Sequence, residues 1–380
     1  MTFNFDQWVD RSHSDSLKWH KYRDADVIPL WVADSDFQSP PSVISALQQR
    51  VAEGVFGYGV PPTELVALVV RRMQQKYDWA IQPQWIVWLP GLVCGLNLAV
   101  RAFTTVQQSC IMPSPIYPPF MQAAQIDGRS WHAQKVEQRQ QRWVPAVEQI
   151  EPPLNGNEKL LMLCNPYNPG GTVFRRDELL EQLSFAQRHN LIVCSDEIHC
   201  DLLLEPGVRH IPFASLSEDA AERSITLMSP SKTFNIAGLG ASLAIIPNDK
   251  LRKQYSSAAR GTIPDVNILA YVAATAAYRD GEAWLTAQLD YLRTNRDLAV
   301  ARINAMPGLR MLPIEGTYLG WIDTSAAQLS DPYQFFLQAG VALSNGKDFG
   351  DSKFVRINLG CQRALLDKAL DRMAAALAAR

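Results

Sequence analysis

One lysine in this 380-residue chain has an unusual sequence environment. Lys232 lies in SPSKTFNIAGLG (229–240), and no other charged residue occurs from Ser224 to Pro247. Surface lysines more commonly stand among other charged residues. Lys232 is therefore either a loop lysine that reaches solvent or a lysine held in a pocket, where its amine can act as a nucleophile or a base.

Two further segments contain polar residues suited to binding a ligand. NPYNPGG (165–171) predicts a rigid turn, in which Asn168 either points its amide into a cleft or only holds the turn. SDEIH (195–199) places Asp196 after an apolar run, where a carboxylate needs a cation or donor from the protein or from a ligand. His199 is either a ligand contact or a packed, hydrogen-bonded histidine.

A glycine turn adds a candidate anion site. LPGLVCG (89–95) runs from an apolar strand through Gly91 into a predicted helix. The N–H groups at a helix N-terminus bind anions, and glycine lets the backbone approach them closely. Because many strand-to-helix turns contain glycine, this segment indicates an anion site only together with the other candidates.

The segments that position these residues alternate between strands and helices. We predict strands at 84–89, 109–114, 159–166, 191–197, 224–230 and 241–247, and helices at 91–103, 118–128 and 176–190. This alternation predicts an α/β fold with a mostly parallel sheet between layers of helices. Ligands bind beyond the carboxyl ends of such strands, and every candidate above follows a predicted strand.

The pattern changes after about residue 265 and predicts a second, smaller α+β domain. It consists of a long helical stretch (267–306), short strands (317–322 and 354–359) and a final helix from Arg363. We therefore expect a large domain at 42–266. The N-terminal arm, residues 1–41, and residues 267–380 would form the smaller domain, with the boundary near Pro40 and Pro41.

The candidates at the strand ends match the needs of one cofactor, pyridoxal 5'-phosphate (PLP). Its phosphate needs helix N–H groups, its ring nitrogen an acid, its ring hydroxyl a donor, and its aldehyde a lysine for a Schiff base. Gly91, Asp196, Asn168 and Lys232 offer these groups in that order. We therefore expect a PLP site at the carboxyl edge of the sheet.

Composition excludes several other classes of protein. The net charge of −2 gives no indication of a nucleic-acid or membrane-surface partner, and no apolar run approaches the roughly 20 residues of a membrane helix. The N-terminal segment lacks the apolar core of a secretion signal, and the six cysteines form no C-x-x-C pair. We expect a cytoplasmic protein with reduced thiols and no metal site.

The motifs N-P-x-N-P-x-G, S-D-E-I-H, S-x-S-K-T-F-N-I-A-G-L and R-I-N, in this order, resemble those of the class I/II aminotransferase superfamily, PLP fold type I. Within it, PLWVADSDFQSPP (29–41) and the histidine of SDEIH are similar to the MalY/PatB family of cystathionine β-lyases. The resemblance covers essentially the whole chain. It implies a large domain with a mostly parallel, seven-stranded sheet and a smaller α+β domain. It also implies a homodimer with active sites at the subunit interface.

The resemblance implies a role for each ring-binding residue. Lys232 would form the Schiff base with the aldehyde, and Asp196 would pair with the pyridine nitrogen. Asn168 would donate to the ring hydroxyl with His199 nearby. Tyr117, in SPIYPPF, would stack on the ring. Without the resemblance, Tyr117 would be interpreted as an ordinary packed aromatic residue.

The resemblance also implies the phosphate and substrate contacts. Leu92 and Val93 would offer backbone N–H groups and Ser229 a hydroxyl to the phosphate, and Tyr58 would reach the phosphate of the neighbouring subunit beside the substrate entrance. The substrate-binding residues would be Tyr58, Arg356, which would bind the α-carboxylate through its guanidinium, and Ala33, which would assist through its backbone. Without the resemblance, Arg356 would be interpreted as a surface arginine at a strand edge.

These roles imply α,β-elimination on a small-molecule amino acid that carries a β-thioether, such as L-cystathionine, with Lys232 and Tyr117 as the catalytic residues. An aminotransferase is one alternative, because both reactions use the same lysine, acid and carboxylate-binding arginine. A PLP-binding regulatory protein that acts through protein contacts is another. No basic patch indicates nucleic-acid binding in either case.

Overall fold

The computed structural model describes residues 3–23 and 25–380, so residues 1, 2 and 24 of the predicted N-terminal arm lie outside the described part. In chain order the strands are β1 (Ile28–Pro29), β2 (Ile86–Leu89), β3 (Ser109–Ser114), β4 (Ser130–Arg139), β5 (Arg142–Glu151), β6 (Glu158–Cys164), β7 (Ile192–Asp196), β8 (Ser224–Met228), β9 (Ser242–Ile245), β10 (Arg310–Met311), β11 (Leu319–Asp323), β12 (Val341–Ala342), β13 (Ser344–Asn345) and β14 (Phe354–Asn358).

The helices cover both faces of the main sheet and build most of the second part of the chain. They are α1 (Leu17–His20), α2 (Pro41–Ala52), α3 (Thr63–Tyr77), α4 (Leu92–Phe103), α5 (Pro118–Ile126), α6 (Arg176–Arg188), α7 (Glu218–Glu222), α8 (Asp249–Ala259), α9 (Ile268–Asp280), α10 (Glu282–Asn304), α11 (Pro332–Gln338), α12 (Gly346–Phe349) and α13 (Arg363–Ala378). Within residues 3–23 and 25–380, none of the helices has the length and apolar character needed to cross a membrane.

The main sheet has the order β2-β9-β8-β7-β6-β3-β4-β5. Its central strands β8, β7, β6, β3 and β4 run parallel to one another, whereas β9, β2 and β5 are antiparallel to their neighbours. The predicted α/β class is therefore confirmed. The strands β6, β7 and β8 are buried on both faces, which explains their nearly continuous apolar sequences.

The predicted number of seven strands is wrong, because the sheet has eight. The sequence interpretation missed the hairpin of β4 and β5, which extends one edge of the sheet. Polar and charged residues interrupt β4, whose buried and exposed positions alternate. Its tight turn uses Gln140 and Gln141, both at positive φ, instead of the glycine or asparagine that normally marks such a turn.

A second sheet, in the order β10-β11-β14-β13, is fully antiparallel and packs with α10 and α13 around a separate apolar core. The helical stretch predicted at 267–306 is two helices, separated at Gly281. A Cβ atom at this position would lie 2.4 Å from the carbonyl oxygen of Ala277 and 2.6 Å from the ring of Phe234. The predicted division into two domains stays a prediction.

The N-terminal arm lies across the carboxyl edge of the main sheet and is held there by two asparagines. Asn235 accepts a hydrogen bond from the N–H of Ser35 (3.1 Å) and donates to the carbonyls of Ser35 (3.1 Å) and Phe37 (2.7 Å). Asn358, at the end of β14, donates to the carbonyls of Val32 and Asp34. These bonds position the arm's backbone beside the loop that carries Lys232.

Replacing Asn235 with alanine is expected to lower the free energy of unfolding by about 2 to 3 kcal/mol, because three hydrogen bonds of about 1 kcal/mol each are lost. Urea-unfolding curves of the variant and the wild type measure this difference. The matched control is Asn157→Ala, which removes an exposed side chain and should change stability by less than about 0.5 kcal/mol. Equal unfolding curves for the two variants would contradict the role assigned to Asn235.

Candidate active site

Eight of the eleven predicted site residues meet at a cavity of about 150 Å³ beyond the carboxyl ends of the central strands. The end of β7 contributes Asp196, and the loops after β6 and β8 contribute Asn168 and Lys232. The cavity lining also includes the predicted residues Ala33, Leu92, Val93, Tyr117 and His199. Residues that are far apart in the sequence converge because the parallel strands end at the same edge.

The amine of Lys232 lies inside this cavity and donates to the carbonyl oxygen of Ala33. Burial lowers the pKa of Lys232 to about 8, and the nearby positive charge of Arg356 acts in the same direction. The carboxylates of Asp34 and Asp196 oppose this shift. A substantial fraction of this amine is therefore neutral near pH 8 and able to act as a nucleophile or base.

Asp196 is a buried carboxyl group, 5% exposed, at the end of a central strand. One of its oxygens accepts the backbone N–H of Ile198 at 3.1 Å. Within the described chain, no basic side chain lies within 4.0 Å of it. Burial raises the pKa of Asp196 to about 7. A carboxyl group in this environment is suited to a protonated ring nitrogen, because such a partner compensates its buried charge.

His199 also lies in the cavity wall, with its ring edge-to-face against Tyr318 at a centroid distance of 6.1 Å. Its Nδ1 atom is buried without a hydrogen-bond partner. Burial lowers the pKa of His199 to about 3, assisted by the positive charges of Lys232 and Arg356. The imidazole is therefore neutral, with one nitrogen available to a bound group.

Arg356 is buried in the interior strand β14, 4% exposed, and is not the strand-edge surface arginine that the sequence left open. Its guanidinium donates to Oδ1 of Asn168 (2.9 Å), the carbonyl of Trp31 (2.9 Å) and Oγ of Ser344 (3.1 Å). All three acceptors are neutral, and Nε has no partner. Burial lowers the pKa of Arg356 to about 10. This uncompensated cation is suited to binding a carboxylate.

Helix α4 begins at Leu92 and points its N-terminus at the cavity, and no side chain caps it. Ser229, the predicted hydroxyl donor to the phosphate, instead donates to the carbonyl of Ala241 at 2.6 Å and accepts the N–H of Ser231 at 3.0 Å. Ser231 lines the cavity. The motif S-x-S-K contains both serines, and only the folded loop shows which one faces the cavity.

Tyr117 stands between this inner cavity and a second, outer cavity of about 410 Å³, and it lines both of them. Burial raises the pKa of its hydroxyl, which keeps the group protonated. Tyr58 is fully exposed and is absent from the lining of either cavity. The structure of one chain therefore does not bring Tyr58 to the site.

Two supporting residues were not identified from the sequence. The Tyr318 hydroxyl donates to the same Ala33 carbonyl that accepts from Lys232, at 3.0 Å. Asp201 pairs with Arg72 at 2.7 Å and accepts from the hydroxyl of Thr233, next to Lys232, at 3.2 Å. Asp201 follows the SDEIH motif by two residues, but no sequence pattern distinguishes its structural role from that of Asp196.

Comparison with known proteins now identifies the class of protein. Residues 25–373 match the family described as aminotransferase class I and II, and the chain belongs to this family. Within the family it groups with the MalY/PatB cystathionine β-lyases, as the sequence motifs predicted. The cystathionine β-lyase PatB of Bacillus subtilis (strain 168) is 37% identical over 98% of this chain and 100% of its own length.

Two solved structures share the fold over the full length of both chains. The crystal structure of OvoB is 58% identical in sequence, with a TM-score of 0.97. Cystalysin from Treponema denticola is 31% identical, with a TM-score of 0.94, and its crystal structure is described as containing a pyridoxal 5'-phosphate cofactor. The predicted fold type is therefore confirmed.

The pKa of Lys232 leads to a pH-dependent labelling prediction. Only the neutral amine reacts in reductive methylation, so the labelling rate at Lys232 should rise with pH and level off above about pH 8. Peptide mass spectrometry of protein freed of bound carbonyl compounds measures the rate at each lysine, with the exposed Lys253 as the comparison. A rate at Lys232 that keeps rising up to pH 10 would contradict the assigned environment.

Proposed function

We propose that this protein is a PLP-dependent carbon–sulfur β-lyase, which converts L-cystathionine or a related cysteine S-conjugate into a thiol, pyruvate and ammonia. The observation that carries the proposal is the pair of Lys232 and Asp196, which face one cavity without being paired with each other. The naming of PatB as a cystathionine β-lyase and the PLP in cystalysin support it. When bound, PLP supplies an aldehyde that condenses with amines and a ring that withdraws electrons from Cα.

The residues around the inner cavity match the groups of this cofactor. Asp196 would hold the ring nitrogen in its protonated form, and Lys232 would bind the aldehyde. Asn168 accepts from Arg356 through Oδ1, which leaves its NH₂ group to donate to the ring hydroxyl. His199 would lie beside that hydroxyl, and Tyr117 would pack against the ring.

The phosphate would bind at the N-terminus of α4, where the backbone N–H groups at Leu92 and Val93 are not capped by a side chain. We assign the contributing hydroxyl to Ser231 in place of Ser229, because Ser229 already donates to Ala241. This assignment still leaves Ser229 a structural part in the site, since its oxygen accepts the N–H of Ser231 and orients the loop.

The substrate would bind with its α-carboxylate on Arg356 and its Cα close to Lys232. The Ala33 carbonyl orients the Lys232 amine, which removes the Cα proton as a general base. The thiolate then leaves Cβ and takes a proton from the Lys232 ammonium or the Tyr117 hydroxyl. The aminoacrylate product hydrolyses in water to pyruvate and ammonia. The inner cavity is largely buried, which excludes water while these protons move.

Purified wild-type protein with PLP is expected to release pyruvate from L-cystathionine, and Lys232→Ala should reduce kcat by about a thousandfold or more because it removes the general base. Coupled lactate dehydrogenase measures pyruvate, and borohydride should attach the cofactor to Lys232 in the wild type. Lys253→Ala serves as the control for a surface lysine. Conversion of the cofactor to pyridoxamine phosphate without pyruvate would identify an aminotransferase instead.

The proposal includes a cytoplasmic homodimer in which Tyr58 of one chain reaches the phosphate site of the other. The segment around Tyr58 supports it, because Val55, Phe56 and Val60 are also exposed there. Contiguous exposed apolar residues of this kind mark interfaces. Cytoplasmic location agrees with the six free cysteines, since thiols persist in a reducing compartment.

Mixing Lys232→Ala chains with Tyr58→Ala chains after unfolding and refolding is expected to restore about a quarter of wild-type activity, because half of the dimers are mixed and hold one intact site. Each variant alone should remain far less active. Mixing Lys232→Ala with Arg356→Ala is the control, since both residues belong to the same chain's site and no intact site forms. Equal activity in the two mixtures would contradict the shared site.

A further inference from the structure

The carbonyl oxygen of Ala33 accepts two hydrogen bonds, one from the amine of Lys232 and one from the hydroxyl of Tyr318 at 3.0 Å. A carbonyl oxygen has two lone pairs, so these two donors use both of them. Ala33 lies in a described part of the N-terminal arm that is neither helix nor strand, where no ladder of backbone bonds fixes its carbonyl. The two side chains therefore determine where this oxygen points.

The two donors differ in how long they stay on this oxygen. Lys232 has to leave the Ala33 carbonyl in order to bind the aldehyde of PLP, whereas the Tyr318 hydroxyl stays bonded to it. Burial raises the pKa of Tyr318, and the negative charge of Asp34 acts in the same direction, so the hydroxyl remains protonated and continues to donate. The carbonyl is thus already oriented when the Lys232 amine becomes free again.

Tyr318 is itself held firmly in the interior, with 1% of its surface exposed. Its backbone carbonyl accepts the N–H of Leu359 at 2.8 Å, and the N–H of the preceding Thr317 donates to the carbonyl of Leu202 at 2.8 Å. Thr317 has a φ of 71°, a region that β-branched residues rarely adopt. Strained conformations of this kind persist only where the surrounding contacts enforce them, and they cluster at functional sites. The backbone therefore holds the Tyr318 ring at one position.

Tyr318 is not among the described residues that line the inner and outer cavities. Its ring packs edge-to-face on His199, which does line the inner cavity, at a centroid distance of 6.1 Å. The Tyr318 hydroxyl therefore acts on the reacting groups through the Ala33 carbonyl, which makes Tyr318 a positioning residue and not a catalytic one.

We propose that Tyr318 positions the general base of the reaction, by fixing the Ala33 carbonyl that holds the free Lys232 amine where it can remove the Cα proton. This inference rests on the proposed lyase function and assigns Tyr318 a part in its proton transfer. A displacement of about 1 Å in a catalytic group can cost about a hundredfold in rate, so the orientation of one carbonyl is sufficient to affect turnover.

Tyr318→Phe should lower kcat for pyruvate release from L-cystathionine about tenfold, with KM changed less than about twofold, because the Ala33 carbonyl turns while Arg356 still binds the substrate carboxylate. With substrate deuterated at Cα, the isotope effect on kcat should be at least as large as in the wild type, since proton removal becomes slower. The matched control is Tyr255→Phe, which removes an equally buried hydroxyl from the carbonyl of Gly95 at 2.9 Å. A kcat no lower than that of Tyr255→Phe, or a smaller isotope effect than in the wild type, would overturn the inference.

Reductive methylation of the same variants, in protein freed of bound carbonyl compounds, provides a readout that does not require turnover. A carbonyl that accepts from an ammonium group favours the charged amine, so loss of the fixed Ala33 carbonyl should move the pH midpoint of labelling at Lys232 about half a unit below that of the wild type. Tyr255→Phe should leave this midpoint unchanged, and equal midpoints in all three proteins would overturn the inference. If the wild type releases no pyruvate, the lyase function is contradicted, and the labelling comparison still decides whether Tyr318 positions the Lys232 amine.

Discussion

Asp196, which is buried, and Lys232, which is partly buried, are two ionisable groups that face the same cavity without forming an ion pair. Their separation raises the free energy of the folded protein. Burial disfavours the charged form of each group, and no contact between the two side chains offsets that effect. Both pKa values therefore move toward the neutral form of the group: burial raises the pKa of Asp196 to about 7 and lowers that of Lys232 to about 8. The main sheet makes this arrangement possible. Asp196 ends β7 and Lys232 lies in the loop after the neighbouring strand β8, so the two groups lie at separate points of one edge of the sheet.

The neighbouring acids differ from Asp196 in the partners that the protein gives them. Glu197 accepts from His210 at 2.7 Å, from Ser195 at 2.8 Å and from a backbone N–H, so its oxygens are fully used. Asp201 has its pKa lowered despite burial, by the charge of Arg72. Only Asp196, of these three acids, lacks such partners within the described chain. The same short segment therefore contains two acids whose charge is compensated by protein groups and one whose charge is not.

The N-terminal arm connects the inner cavity to the outer one. Its residue Ala33 accepts hydrogen bonds from Lys232 and Tyr318, and Trp31 accepts from Arg356 and packs against Lys21. The arm is anchored by the buried pair of Lys18 and Asp36, at 2.7 Å, as well as by Asn235 and Asn358. A displacement of the arm would thus move the acceptors of both Lys232 and Arg356 and change the walls of both cavities.

Much of this protein could be predicted from its sequence, because the relevant signals are local. Apolar runs and their periodicity placed the central strands and helices, and the motifs around Lys232, Asp196 and Asn168 indicated the cofactor before any contact was known. The tertiary structure decided what depends on contacts between distant residues. It added the hairpin of β4 and β5 to the six strands located from the sequence, placed Ser231 rather than Ser229 at the cavity, and buried Arg356 among neutral acceptors. Which charge remains unpaired is a property of the packed molecule, since it depends on every side chain that surrounds it.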